Sequence, residues 1–352
     1  MQIETRKNGL DLLKIIGLMM IIMMHASGNL YNDSDLTMSN MVFFAMLNAI
    51  GNTAVSCFML ISGYFGLKFR IEKVVKLWIT LLFFSTLSGV VNVIFYGENG
   101  LSLIRSFLPV TMCKSWYFTC YFIILSIAGF IEKFIDSINK KQFLMLILIL
   151  MFWLSIFPTF LYFSITNDRG KGIMNLLLIY LVGRYINKYL IIEELSNNLL
   201  CSILLICFLF ITILNMFFTI YTDSFKNHFA SDNSIFIIIE SISLFALLFK
   251  FYSHYSFINK FAAITPVAFM IEPIITKSLY AIVDMHHYSQ SVWLPIIIVL
   301  YSFFVVVISY GLFFIFDTFI LNFLYKQFFV LFNRAKLFIV KSPLYKYFND
   351  LC

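Results

Sequence analysis

Long apolar runs separated by short polar gaps dominate the chain. Ten of them, at 10–28, 41–65, 74–96, 116–135, 143–164, 173–190, 199–222, 234–252, 261–282 and 292–322, approach or exceed the length of a membrane-crossing helix, about 20 mostly apolar residues. The pattern predicts an all-α, polytopic transmembrane helical bundle of about ten helices. The last run is long enough to tilt or to continue along the membrane surface. No Gly/Ser linker, internal repeat or low-complexity stretch divides the chain. It therefore reads as one membrane domain, 1–322, followed by a tail, 323–352, in which bases alternate with aromatics, as in Tyr325-Lys326 and Lys346-Tyr347-Phe348. Such a tail suits an amphipathic segment lying on an anionic leaflet.

Composition strengthens this picture. Of 352 residues 61% are hydrophobic and only 12% are charged, about half the charged share of a soluble domain. Lipid must be the solvent for much of the surface. The net charge of +7 sits in the gaps between apolar runs rather than on one basic face, which excludes nucleic acid as a partner. With the N-terminus placed in the cytoplasm, 19 of the 25 Lys and Arg fall inside. Six fall outside, among them Arg169, Lys171 and Lys277. That asymmetry predicts both termini cytoplasmic in a multi-pass protein of the cell membrane. Arg6-Lys7, an apolar run and Ala26-Ser27-Gly28 imitate a secretory signal, but Asp11 and Lys14 early in the run argue that it is retained as the first span. Six Cys show neither CxxC nor metal-ligand spacing with His; Cys57, Cys120, Cys201 and Cys207 read as fillers inside apolar runs.

Ionisable residues within spans are costly, and so they are the functional candidates. The first run holds Asp11, Lys14 and His25. Eleven residues at 100° each place His25 about 20° past three full turns from Lys14, and Asp11 lies about 60° to the other side. The three share one helix face along about 21 Å of axis. Two readings stay open: a catalytic face, or a snorkelling Lys14 paired with Asp11 and a His25 hydrogen-bonded to a neighbouring helix. Glu240 and Glu272, inside later spans, should face the bundle interior, as a second acid or base or in structural pairs. Asp284-x-His286-His287 lacks the geometry of a metal site. His228 and His254 read as solvated loop residues, and Trp116 and Trp293 as members of an interfacial belt.

The opening Arg6-Lys7-Asn8-Gly9-Leu10-Asp11-Leu12-Leu13-Lys14, ten residues and then His25, resembles the start of the membrane acyltransferases called acyltransferase 3. Cys57-Phe58-Met59-Leu60-Ile61-Ser62-Gly63-Tyr64-Phe65 resembles that family's aromatic-rich Ser-Gly segment. Arg70-x-x-Lys73 is similar to its Arg-x-x-Arg, and Ser115-Trp116-Tyr117-Phe118 to its Trp-aromatic signature. One departure stands out. Glu272 appears where the family's late Gly-x-Tyr-Leu-x-His pattern has a His, which leaves the bearer of that role open.

The resemblance implies transfer of an acyl group, usually acetyl, from cytoplasmic acyl-CoA to a hydroxyl of an extracytoplasmic glycan, as in a polysaccharide O-acetyltransferase of the cell envelope. No permanently bound cofactor is implied, and acetyl-CoA or another acyl-CoA is the donor. In that scheme His25 is the catalytic base, or carries a transient acyl group. Lys14, Arg70 and Lys73 hold the donor's phosphates, although inside-positive topology alone would also place Arg70 and Lys73 where they are. Asp11, Ser62, Trp116, Glu240 and Glu272 are supporting candidates. Ser62-Gly63 either line the thioester path or are small packing residues. Expected partners are acyl-CoA, the glycan acceptor and the bilayer, with oligomers or glycan-assembly proteins left open. Rival readings are a transporter or flippase of lipid-linked saccharides, disfavoured by the missing internal repeat, and a glycan polymerase.

Overall fold

The computed structural model describes residues 8–28, 30–31, 36–161, 165–252, 255–280 and 282–340, with side chains through 332. Helices α1 (Asn8–Gly28), α2 (Met38–Gly51), α3 (Thr53–Phe65), α4 (Ile71–Tyr96), α5 (Gly100–Ser106), α6 (Trp116–Ser137), α7 (Lys140–Met151), α8 (Phe157–Leu161), α9 (Ile173–Tyr189), α10 (Asn197–Thr222), α11 (Ile235–Lys250), α12 (Ser256–Tyr280), α13 (Leu294–Phe316) and α14 (Asn322–Val340) follow one another. No strand occurs among the described residues. The chain is an all-α helical bundle with eight candidate membrane spans among the described residues, three of them composite: α2 with α3, α7 with α8, and α13 running into α14. The two expected spans not among these eight are α9 and α11, whose 17 and 16 residues make them the shorter, deeply packed helices of the bundle. Large apolar side chains such as Phe130, Phe217 and Phe303 are exposed, as a lipid-facing surface requires.

Helix α1 is the hub. It packs against α2, α3, α11, α12 and α13, so each part of its polar face meets a different neighbour. Helices α3 and α9 are pressed together at two glycines. A Cβ on Gly63 would lie 2.3 Å from the Tyr180 carbonyl oxygen, and one on Gly183 would lie 2.6 Å from the Leu60 carbonyl oxygen. Small residues allow this approach. Gly63→Ala should therefore force the helices apart at a cost of about 1–3 kcal/mol, read as a lower thermal midpoint in detergent; an unchanged midpoint would refute the close contact.

Prolines shape the two elements nearest the site. Pro158 has no N–H to give to the Leu154 carbonyl. A π-turn, Phe152–Ile156, precedes it, and Asn233 Nδ2 donates to the Leu154 oxygen instead at 3.2 Å. In α12, Pro266 and Pro273 withhold the helix hydrogen bonds due to the carbonyls of Ala262 and Phe269. The second span is interrupted at Asn52, whose Nδ2 donates back to the Asn48 carbonyl at 3.0 Å.

The expected tail begins inside a helix. A second π-turn, Asp317–Leu321, leads from α13 into α14, and α14 docks on α4 through a 2.6 Å hydroxyl pair, Thr80 with Tyr325. Residues 341–352, and Arg6, Lys7 and His254, lie outside the described residues.

Candidate functional site

The catalytic candidate on α1 meets its partner across 247 positions of chain. His25 Nδ1 lies 2.9 Å from Glu272 Oε2 on α12. In the tautomer in which Nδ1 donates to this carboxylate, the neutral ring keeps its lone pair on Nε2. The other Glu272 oxygen accepts from the Thr276 hydroxyl at 2.6 Å, one turn further along α12. The Glu272 side chain is 0% exposed, while the His25 ring is 46% exposed and lines a cavity of about 610 Å³. The carboxylate is thus fixed inside the bundle and the imidazole faces open space. Glu272, which the sequence offers as a second acid or base or as one of a structural pair, is the group hydrogen-bonded to His25. Tyr280 and Ala26 strengthen the joint between α12 and the end of α1: the Tyr280 hydroxyl donates to the Ala26 carbonyl.

The lining of the His25 cavity mixes polar and apolar groups. The α2–α3 interruption presents Asn48 and Asn52 to it, and Trp116, at the start of α6, contributes an aromatic wall. Asn48 Nδ2 donates to the Tyr31 hydroxyl at 2.9 Å, which in turn lies 3.0 Å from Ser27 Oγ.

Two loops form its mouth, and they are stitched to each other. Arg169 Nη2 donates to Asn227 Oδ1 at 2.7 Å and to its carbonyl at 3.2 Å. Asn175 Nδ2 donates to the carbonyls of Gly170 and Asp232. Gly170 adopts φ +86°, and a Cβ there would lie 2.3 Å from the Asn233 backbone nitrogen; only glycine fits both demands. His228, expected to be solvated, is instead partly buried, with Nε2 3.1 Å from the Thr159 carbonyl. Burial holds its imidazole below the usual histidine range.

A second, smaller cavity of about 140 Å³ lies toward the other end of α1, lined by Lys14, Ser62, Tyr117, Tyr121 and Phe269 among others. Lys14 Nζ donates to Asp11 Oδ1 at 2.9 Å, so the α1 face holds the ion pair that its spacing suggests. The Ser62–Gly63 alternatives are divided between the two residues. Ser62 lines this cavity, its hydroxyl donating to the Phe58 carbonyl at 3.0 Å, while Gly63 is a packing residue. Phe269 lines both cavities. Its ring sits among Phe58, Tyr117 and Phe118, with centroids 6.3, 5.9 and 5.2 Å away. It is an aromatic partition between the Lys14 side and the His25 side.

Other candidates lie elsewhere. Arg70 and Lys73, at the start of α4, are exposed and line neither cavity. Glu240 is wholly buried and lines neither, and among the described residues both its carboxylate oxygens lack a hydrogen-bond partner. Cys57, Cys120 and Cys207 are buried fillers as expected, whereas Cys201 is exposed because its face of α10 points away from the bundle. Among the described residues no group of three or more His, Cys, Asp or Glu could hold a metal ion.

Sequence reasoning missed a network at the far end of α3. There Arg184 Nη2 pairs with Glu132 at 2.8 Å. The Tyr180 hydroxyl donates to Glu132 at 2.5 Å and accepts from the Leu67 N–H at 3.0 Å. It holds the turn leading from α3 toward Arg70. An Arg and a Glu near span ends were its only sequence signal.

Residues 7–333 match the family model described as an acyltransferase domain, nearly the whole chain. No curated protein and no solved structure matches.

Proposed function

Since the chain belongs to the acyltransferase 3 family and is a multi-pass membrane acyltransferase, we propose that it transfers an acetyl group from cytoplasmic acyl-CoA to a hydroxyl of an extracytoplasmic glycan or its lipid-linked precursor. The observation that carries this reading is the His25–Glu272 pair facing one cavity while Lys14 and Ser62 face another, with Phe269 lining both. A reaction whose donor and acceptor lie on opposite sides of a membrane needs two such chambers.

In this reading the donor enters on the Lys14 side. The Lys14 ammonium, already beside Asp11, supplies a point charge for a phosphate or the polar pantetheine arm. Arg70 and Lys73, exposed in the turn before α4 and at its start, attract the polyanion to that side. The thioester passes Phe269, whose carbonyl Pro273 has released from the helix ladder. The acceptor hydroxyl meets His25 Nε2, which takes its proton as the oxygen attacks the thioester carbonyl. Glu272 stabilises the imidazolium that forms. Collapse of the tetrahedral species expels the CoA thiolate, and the imidazolium returns the proton to it, leaving an ester and a free thiol.

The test compares surface glycan from deletion and wild-type cells by NMR. Loss of O-acetyl signals in the deletion is the expected result, and identical spectra under expressing conditions would overturn the reading.

A further inference from the structure

Among the charged groups of the His25 cavity that the chemistry above does not use, one is buried. Asp232 sits on the loop between α10 and α11 and is only 4% exposed, yet it lines the cavity. Among the described residues its carboxylate has no hydrogen-bond donor and no cation at ion-pair distance; only its backbone carbonyl is engaged, by Asn175. The neighbouring charges are otherwise occupied or further off. Asp168 Oδ1 accepts from the Thr166 hydroxyl and the Gly170 N–H, both at 2.8 Å. Arg169 is tied to Asn227 and Ser231. The stitched loops therefore hold a buried carboxylate rigidly against the cavity and give it no donor of their own. Burying a charge this way is costly unless donors arrive from outside.

The cavity's overall charge narrows what those donors belong to. Arg169, Lys171 and Lys277 line it together with Asp168, Asp232 and Glu272. Three basic and three acidic groups leave no net sign, so nothing favours a polyphosphate or a polyuronate. A neutral sugar suits the remaining lining: the two oxygens of a carboxylate accept from two adjacent hydroxyls, Asn52 offers an amide donor and acceptor, Asn48 offers an amide acceptor, and Trp116 offers a flat apolar face for the ring.

Resting on the acyl-transfer reading, we propose that Asp232 is the acceptor-recognition residue: its carboxylate takes two vicinal hydroxyls of a neutral saccharide and so sets which further hydroxyl meets His25. Burial pushes this carboxyl up to about 6; Lys171 and Arg169 hold it down and Asp168 raises it. It is charged above that pH and neutral below it. Acceptor binding should therefore weaken as pH falls through about 6. Because His25, Glu272 and Lys277 face the same cavity, the acceptor KM rather than kcat is the quantity to follow.

The full-length protein in proteoliposomes is given acetyl-CoA and two probe sets of equal length, neutral hexose oligosaccharides and uronate oligosaccharides. Wild type should acetylate the neutral set preferentially. Asp232→Asn, which removes no hydrogen bond that the fold uses, should raise the acceptor KM at least ten-fold and flatten its rise below pH 6. The acetyl-CoA KM and acceptor-independent hydrolysis of acetyl-CoA should stay near wild type. If that variant fails to fold, Asp232→Glu, which displaces the carboxylate by one methylene, should also raise the acceptor KM. A two-fold change or less in Asp232→Asn, a preference for uronates, or no transfer to either set would overturn the proposal. His25→Ala separates the two ideas: retained acetyl transfer there sinks the acyl-transfer reading itself, whereas an inactive His25→Ala beside an unaffected Asp232→Asn sinks only the role of Asp232.

Discussion

His25→Ala should lower acyl transfer by about 10²–10⁴-fold, the contribution typical of a positioned proton-transfer group. Among the described residues the ring is the only imidazole lining the cavity, and its Nε2 is left for that space because Nδ1 is held by Glu272. Glu272, the acid in contact with the ring, is fully buried and already accepts from Thr276. Alanine would leave that carboxylate short of a partner, which could destabilise the bundle, so His25→Gln is the matched control. Its amide can still donate to Glu272 but cannot act as a base. Both variants should reach the membrane, the Gln variant with wild-type thermal stability, and both should fail to move radiolabelled acetyl from acetyl-CoA to glycan. Activity within ten-fold of wild type in His25→Gln would remove His25 from the chemistry.

Glu272→Gln should cost less and in a different way. Glutamine can keep the ring in place through its carbonyl oxygen, with its amide turned toward Thr276. What it cannot offer is the negative charge that faces the imidazolium in the transition state. Hydrogen bonds to charged groups contribute about 1.5–3 kcal/mol, which corresponds to about 10–150-fold in rate. The loss should fall on kcat, with the KM of both substrates nearly unchanged. Glu272→Ala, which also frees the ring to rotate, should approach the His25 variants. A Glu272→Gln enzyme with wild-type kcat would mean that the pair serves packing alone.

These two expectations differ in how far they could be read in advance. His25 stands out because an ionisable residue deep in an apolar run is expensive, and because an α-helical period places it on the same face as Lys14. That arithmetic needs only the local 100° step, and the Lys14–Asp11 pair at 2.9 Å agrees with it. Glu272 was visible as an interior acid, a second acid or base or one of a structural pair, at a position where the family pattern has histidine. Its role depends on α12 lying against α1, a contact between residues 247 positions apart. Arg70 and Lys73 show the reverse case. Their basic pattern is plain in the chain, but it belongs equally to inside-positive topology, and their side chains line neither cavity.

The apolar runs, the charge asymmetry and the first-helix motif are properties of neighbours along the chain: hydrophobic length selects membrane helices, and helical periodicity selects a face. Those were enough to recognise an all-α membrane acyltransferase and to pick out His25 and Lys14. The chambers were not legible, because a cavity is made where helices fail to touch. Its walls here come from α1, α2, α3, α6, α12 and two loops whose mutual placement rests on side-chain packing and on carbonyls released by proline. For the same reason Asp232 and Phe269 looked like an ordinary loop acid and an ordinary membrane phenylalanine. Burial beside His25 marks the first, and a place in the wall of both cavities marks the second.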